Sequence, residues 1–350
     1  MDTTLQQSAE SWLVDLCAEG IFATAGQLSV RLATGPEFDL AVGHDLNGRT
    51  LTANHVSEVF CLTKPLVAMA AVLACESAKV GLDHPVGELL PALQPSVGRL
   101  TVTQIVNHDA GLKAPPALTW MIDDPDERPD LASLRIESGR AAYSEISGWL
   151  VLTELITRLT GESPASYVRS AVTEPLEIRA TVLLTGEDAA EAARSGRLMG
   201  AVGGLPSDAI PMLHAFSNRY QRGVGPVLGG WSTASALATF YSALGMAVAR
   251  GTASPGLPSP PTLRSILAAR RDLTFDETWG RPASFGLGME VIEDGDGDPE
   301  VLQLRSATTT AHAWVDLTTG DAGVVIANGA MLSNADRDEL DRSLASAIGR

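Results

Sequence analysis

Apolar residues recur at helical spacing from Leu5 to Leu16, which predicts an amphipathic opening helix. From Gly26 to Val42 the period changes to two, in QLSVRL and FDLAV on either side of a Gly-Pro turn, and this predicts a pair of strands. A long apolar helix is expected from Leu62 to Val80, stopped by Gly81. Further helices are expected at Leu100–Val106, ending in the turn His108-Asp109-Ala110-Gly111, at Ser144–Thr160, closed by Gly161, and from Pro164 to Pro175-Leu176. The stretch from Lys113 to Pro129 is rich in Pro and Asp and reads as a surface loop, while residues 182–226 carry no strong period. Ser232 to Leu244 reads as a helix with Ser232 or Thr233 as its cap.

The last third of the chain returns to strand patterns at Phe285–Ile292, Val301–Arg305, Thr309–Val315 and Ala322–Ala327, before a closing helix from Asn334 to Ile348. Strands at both ends around a helical middle predict an α+β fold, with an antiparallel sheet built from both termini and a mostly helical insert. The expected organisation is one catalytic unit. Residues 20–60 and 283–350 form its sheet-bearing lobe, 61–282 its helical lobe, and 251–261 a Pro-rich insertion.

Composition narrows the classes of function. A chain of 350 residues that is 45% hydrophobic and 19% charged is not disordered, and a formal charge of -17 excludes an electrostatic nucleic-acid binder. The N-terminus has acidic residues, no early base and no apolar run with a cleavage site, and no charge-free apolar stretch reaches membrane-spanning length. A soluble cytoplasmic protein that binds neither membrane nor nucleic acid is expected. Cys17, Cys61 and Cys75 cannot form a paired framework and belong to no zinc-like cluster. The acidic run Asp123, Asp124, Asp126 and Glu127 lacks EF-hand spacing, and Glu293 to Asp298 reads as an acidic hairpin turn, so no metal and no cofactor are called for.

Only Lys64, Lys79 and Lys113 are lysines among the 25 basic residues, so a lysine beside a reactive group stands out. Cys61-Leu62-Thr63-Lys64 opens the long apolar helix, and residues three apart share a helical face. A cation and a helix N-terminus both stabilise a thiolate, the nucleophilic form of cysteine. Taken alone, Cys61 reads first as a small apolar core residue, because free cysteines are usually buried and inert. Tyr143, at the entrance of the next strong helix, fits either a proton shuttle or a half-buried anchor.

Several segments together resemble the serine β-lactamase, penicillin-binding and esterase superfamily, in its class C branch. FCLTKPLVAMAAVLACESAKVGLDHPVGELLP resembles the family's nucleophile helix, LTVTQIVNHDAGL its following turn, and YSEISGWLVLTELITRLTG its tyrosine motif. GGWSTASALATF, FGLGMEV and TTGDAGVVIANG resemble later elements in the same order, so the likeness covers about residues 20–350. It implies a β-lactamase/transpeptidase-like fold with a nucleophile at Cys61, where the family carries serine, the lysine at Lys64 and the tyrosine at Tyr143.

Three positions depart from that pattern. Cysteine replaces the serine, Glu145 replaces the family's asparagine, and the third motif falls in LQLRSATTT, without its glycine. Glu145 is expected to bring a carboxylate near Lys64 and favour its protonation. Arg305, the only cation of the third-motif region, with Ser306 and Ala307, is expected to line the substrate site, a backbone N–H near Ala307 joining that of Cys61 in an oxyanion hole. His312, beside Trp314, is a further candidate for the pocket, and His108 is expected to serve the turn. These changes, and the cytoplasmic reading, argue against β-lactam substrates.

Three functions stay open on this basis. Cys61 carries an acyl group from a small-molecule thioester, including a coenzyme A or carrier-protein thioester, or from an activated ester, to a small amine or alcohol in secondary metabolism. Alternatively the protein hydrolyses esters or thioesters, or it is a scaffold that binds a ligand without covalent chemistry.

Overall fold

The computed structural model describes residues 3–18, 23–45, 47–112, 131–136, 142–178, 182–199, 230–293, 296–305, 310–329 and 334–348. In chain order, α1 (Thr3–Ala18), β1 (Ala25–Arg31) and β2 (Glu37–Gly43) precede the short strand β3 (Ser57–Glu58) and α2 (Lys64–Ala78). Next come α3 (Val102–Val106), α4 (Ser147–Thr160), β4 (Val182–Leu183), β5 (Trp231–Ser232), α5 (Ala234–Arg250) and α6 (Pro260–Ala268). The chain closes with β6 (Arg271–Asp276), β7 (Arg281–Gly286), β8 (Met289–Glu293), β9 (Pro299–Arg305), β10 (Thr310–Asp316), β11 (Ala322–Ala327) and α7 (Asn334–Ala347).

The main sheet has eight strands in the order β2-β1-β11-β10-β9-β8-β7-β6, and every neighbouring pair is antiparallel. β1 pairs with β11 from Gly26↔Ala327 to Arg31↔Ala322, so the two ends of the chain meet in mid-sheet as an α+β fold requires. Alternation along the strands feeds two cores. Leu28, Val30, Trp314 and Val325 pack with α1 and α7 on one face, and Ala311, Ala313, Val324 and Ile326 join the larger core of α2, α4 and α5 on the other. The sheet begins at Arg271, ahead of the expected boundary at 283. β3, β4 and β5 form a second sheet of three short strands within the helical section.

The α-helix expected from Leu62 starts later. Phe60–Thr63 is a 3-10 turn, and α2 begins at Lys64 with Pro65 in its first turn, where a missing N–H costs nothing. Left-handed Lys79 (φ 57°) ends it, not Gly81. α2 is buried on almost every side, as an all-round apolar helix must be. Phe60–Ala78 is long and apolar enough to span a membrane, at mean hydropathy 1.5, yet 78% of it lies inside the fold as the central helix.

Other differences are local. The run expected as one strand over Phe285–Ile292 folds back on itself between Gly286 and Met289, with Leu287 (φ 56°) and Gly288 (φ 80°) both in the left-handed region. Two positive φ values mark the type I′ hairpin, and Gly288 makes it affordable. α5 is capped by Thr233, whose hydroxyl accepts from the Ala236 N–H, and runs on past Leu244 to Arg250. The Pro-rich stretch 251–261 ends inside α6, whose first turn takes prolines behind the cap Ser259. The loop expected over Lys113–Pro129, and 200–226 of the unassigned stretch, lie outside the described residues.

Candidate active site

The Phe60–Thr63 turn lies between the end of β9 and the start of α2. Phe60 adopts φ 41°, a costly conformation for a bulky residue, and delivers the chain abruptly from β3 into the turn. In a 3-10 turn residues three apart eclipse, so Cys61 and Lys64 meet by 3-10 geometry and not on an α-helical face. Lys64 Nζ donates to Cys61 Sγ at 3.3 Å. Lys64 is 3% exposed, whereas Cys61 is half-buried. Among the described residues the thiol is the ammonium's only hydrogen-bond partner, and no carboxylate pairs with it. Two rings lie near it, with Nζ 5.5 Å from the Tyr143 ring centroid and 5.8 Å from that of Trp149.

Tyr143 stands in the turn ahead of α4, 3% exposed, and among the described residues its Oη makes no hydrogen bond of good geometry, with the Cys61 thiol close by. Its ring stacks on His108 at 4.3 Å between centroids and 24° between planes, and leans on Phe285 at 5.4 Å and Trp279 at 5.5 Å. Burial above all, then the nearby Cys61 and Glu145, holds the phenol well above its usual range. The proton therefore stays on Oη at any ordinary pH.

His108 turns out to be more than a turn residue. It occupies the left-handed region (φ 51°), its Nδ1 accepts the Ser144 N–H at 2.9 Å, and its ring is the floor under Tyr143. That bond leaves the proton on Nε2. Burial, followed by the charges of Arg271 and Lys64, pushes the imidazole well below its ordinary value. Arg271 in turn donates Nη1 to His108 O at 2.9 Å and Nη2 to Asp276 Oδ2 at 2.8 Å, an ion pair whose members are both buried.

Tyr241, on α5, donates Oη to Leu62 O at 2.7 Å and so holds the Leu62–Thr63 peptide, one residue beyond Cys61. Sequence reasoning missed Tyr241, Trp149, Trp279, Phe285 and Arg271. Four of them lie far along the chain from the cysteine. The signal within reach was Trp149, in the first turn of the helix that follows Tyr143.

Not every expected residue arrives. Glu145 is half-buried beside Tyr143, but among the described residues no ion pair or hydrogen bond joins it to Lys64, which corrects that expectation. His312 lies opposite Val325 in the register, on the α1 side of β10, whereas its neighbours Ala311 and Ala313 belong to the core that packs Cys61. A one-residue step along a strand reverses the face, and it removes His312 from the Cys61 side. The backbone of Arg305 pairs with His312 at the end of β9. Ser306 and Ala307 lie outside the described residues. The β8–β9 register stops at Glu290↔Gln303, so the last residues of β9 extend beyond it. Among the described residues no group of three or more His, Cys, Asp or Glu is placed to hold a metal ion.

The antiparallel sheet closed by both termini, with a buried lysine beside a nucleophile-type side chain at the head of a central helix, has a counterpart among known proteins. The beta-lactamase family model matches residues 25–347. The chain belongs to the beta-lactamase family. Two curated relatives are penicillin-binding protein 4* of Bacillus subtilis (strain 168), 25% identical over 146 residues, and esterase EstB of Burkholderia gladioli, 23% identical over 189 residues. The alignments cover 38% and 46% of this chain and only 32% and 45% of those proteins. The solved structure of EstCE1, described as a hydrolase with promiscuous acyltransferase activity, superposes with a TM-score of 0.74 at 19% identity over 99% of both chains. The relatives of this family member are thus esterases and penicillin-binding-type proteins, and the resemblance seen in the sequence holds for the fold.

Proposed function

We propose that this beta-lactamase family member is an acyl-transfer enzyme in which Cys61 takes the family's nucleophile position. The observation that carries the reading is the buried Lys64 ammonium, whose hydrogen bond goes to Cys61 Sγ at 3.3 Å. A buried cation without a counter-charge costs several kcal/mol or more, and among the described residues a thiolate at Cys61 is placed to supply one. Cys61 is half-buried rather than sealed in the core, as a residue that must meet a substrate carbonyl has to be.

In the proposed cycle the thiolate attacks the carbonyl carbon of a small-molecule thioester or activated ester. A C–S bond forms, and the leaving thiol or alcohol departs with the proton of Tyr143 Oη. Acylation removes the negative charge of Cys61, one of the influences that raise the phenol, while Lys64 remains beside the ring to offset the phenolate. An acceptor amine, alcohol or water then attacks the acyl carbon, returns its proton to Tyr143, and releases Cys61 to its pair with Lys64. Coenzyme A or carrier-protein thioesters suit the donor role, because exchange of thiol for thiol is nearly balanced. Such a transfer fits the assembly of secondary metabolites.

Hydrolysis is the second reading, favoured by the relative named as an esterase and by the accessibility of Cys61. Intact-mass analysis after incubation with a panel of acyl thioesters and p-nitrophenyl esters tests both. The expected result is a gain of one acyl group mapped to Cys61, retained in part by Cys61→Ser and absent from Cys61→Ala. Undiminished turnover by Cys61→Ala refutes the covalent mechanism.

A further inference from the structure

Among the described residues Tyr143 Oη makes no hydrogen bond of good geometry, and the Cys61 thiol is the polar side chain that bears on it. The direction of the phenol is set by the rings around it and by its main chain, and the main chain is tethered from a distant element. Thr278 Oγ1 donates to Tyr143 O at 2.9 Å, and Trp279, the next residue, leans its ring on Tyr143. Both belong to the turn between β6 and β7. Asp276 organises that turn, its Oδ1 accepting from the N–H groups of Thr278 and Trp279, each at 2.9 Å. Its Oδ2 is held by Arg271, and the same guanidinium binds the carbonyl of His108, the other ring of the stack. One buried ion pair thus fixes both partners between which the tyrosine is clamped.

We infer that Thr278 is a positioning residue for Tyr143, and that the Asp276–Gly280 turn is the buttress that aims the phenol at the leaving group. The inference rests on the proposed proton-transfer role of Tyr143. It predicts a selective defect, because a general acid matters only where the leaving group needs a proton. Thr278→Val keeps the shape of the side chain and removes the donor, and Thr278→Ser keeps the donor.

The experiment compares kcat/KM, which reports events through acylation, on ethyl butyrate and on p-nitrophenyl butyrate. Ethoxide needs the proton and p-nitrophenolate departs without it. With Thr278→Val, kcat/KM is expected to fall about tenfold on the ethyl ester and less than about twofold on the p-nitrophenyl ester, with recovery in Thr278→Ser. A parallel fall on both esters indicates a merely structural role and overturns the proposal, as does no fall on either. The ratio is internal to each preparation, so partial misfolding does not alter it. Cys61→Ala measured alongside separates the two ideas. Full activity in that variant overturns the covalent reading, while the ester ratio still decides the role of Thr278.

Discussion

The neutral His108 makes a prediction about stability that can be worked through. The imidazole is fully buried, accepts from Ser144 N–H through Nδ1, and has Arg271 and Lys64 as cationic neighbours, all of which oppose protonation in the folded protein. The unfolded chain takes up this proton at about pH 6.5. Its folded value is depressed, so the unfolded state binds more protons below that pH, and folding stability falls as pH falls. For a group that stays neutral in the fold the loss between pH 8 and pH 5 is up to about 2 kcal/mol, a sizeable share of a total of about 5–15 kcal/mol. His108→Asn is the appropriate perturbation, because asparagine tolerates the left-handed backbone at φ 51° and offers an oxygen to the Ser144 N–H. Loss of the ring stack lowers stability by about 1 kcal/mol at every pH, whereas the titration is removed altogether. Urea unfolding at several pH values between 5 and 8 should show the wild type more stable by about 1 kcal/mol near pH 8 and that difference falling by up to about 2 kcal/mol toward pH 5, so that it reverses sign. The carboxyl of Asp109, which burial pushes up, acts in the opposite sense in both proteins and largely cancels in the difference. Parallel stability curves for the two proteins would refute the assignment of a neutral, buried imidazole.

Two further outcomes follow from the same geometry. Burial pushes the thiols of Cys17 and Cys75 up to about 11, so limited iodoacetamide labelling at pH 7.5 should modify Cys61 while leaving the other two largely unlabelled, as read by peptide mass mapping; equal labelling of Cys75 would contradict the burial argument. Tyr241→Phe strands the buried Leu62 carbonyl and should cost about 1–3 kcal/mol in urea unfolding, together with a loss of ester turnover because the Leu62–Thr63 peptide links Cys61 to Lys64.

Much of the sheet was legible because its signals are local. The β11 strand carries a continuous apolar run and was found at its true limits, Ala322–Ala327, while the β1–β2 pair announced itself by alternation. The β7–β8 hairpin was misread as one strand, since its turn is built from Leu287 and Gly288 within an otherwise apolar run. The strand β6 was not foreseen. Its outer residues Leu273 and Phe275 are exposed and its buried ends are the charged Arg271 and Asp276, the reverse of an ordinary strand.

The chemistry divides in the same way. The linear chain already makes Cys61 and Lys64 neighbours, because three residues permit few other arrangements at the head of a helix. It also determined the family's order of elements and the presence of a tyrosine ahead of α4. Folding, by contrast, decided that Lys64 has no carboxylate partner among the described residues, that Glu145 does not supply one, and that His312 lies on the other face of its strand. It likewise decided that Tyr143 is clamped by His108 on one side and by the Thr278–Trp279 turn on the other. The physical reason is range: helical and strand periods report on residues a few positions apart, whereas ring stacking and a tether across 135 positions exist only once the chain has folded.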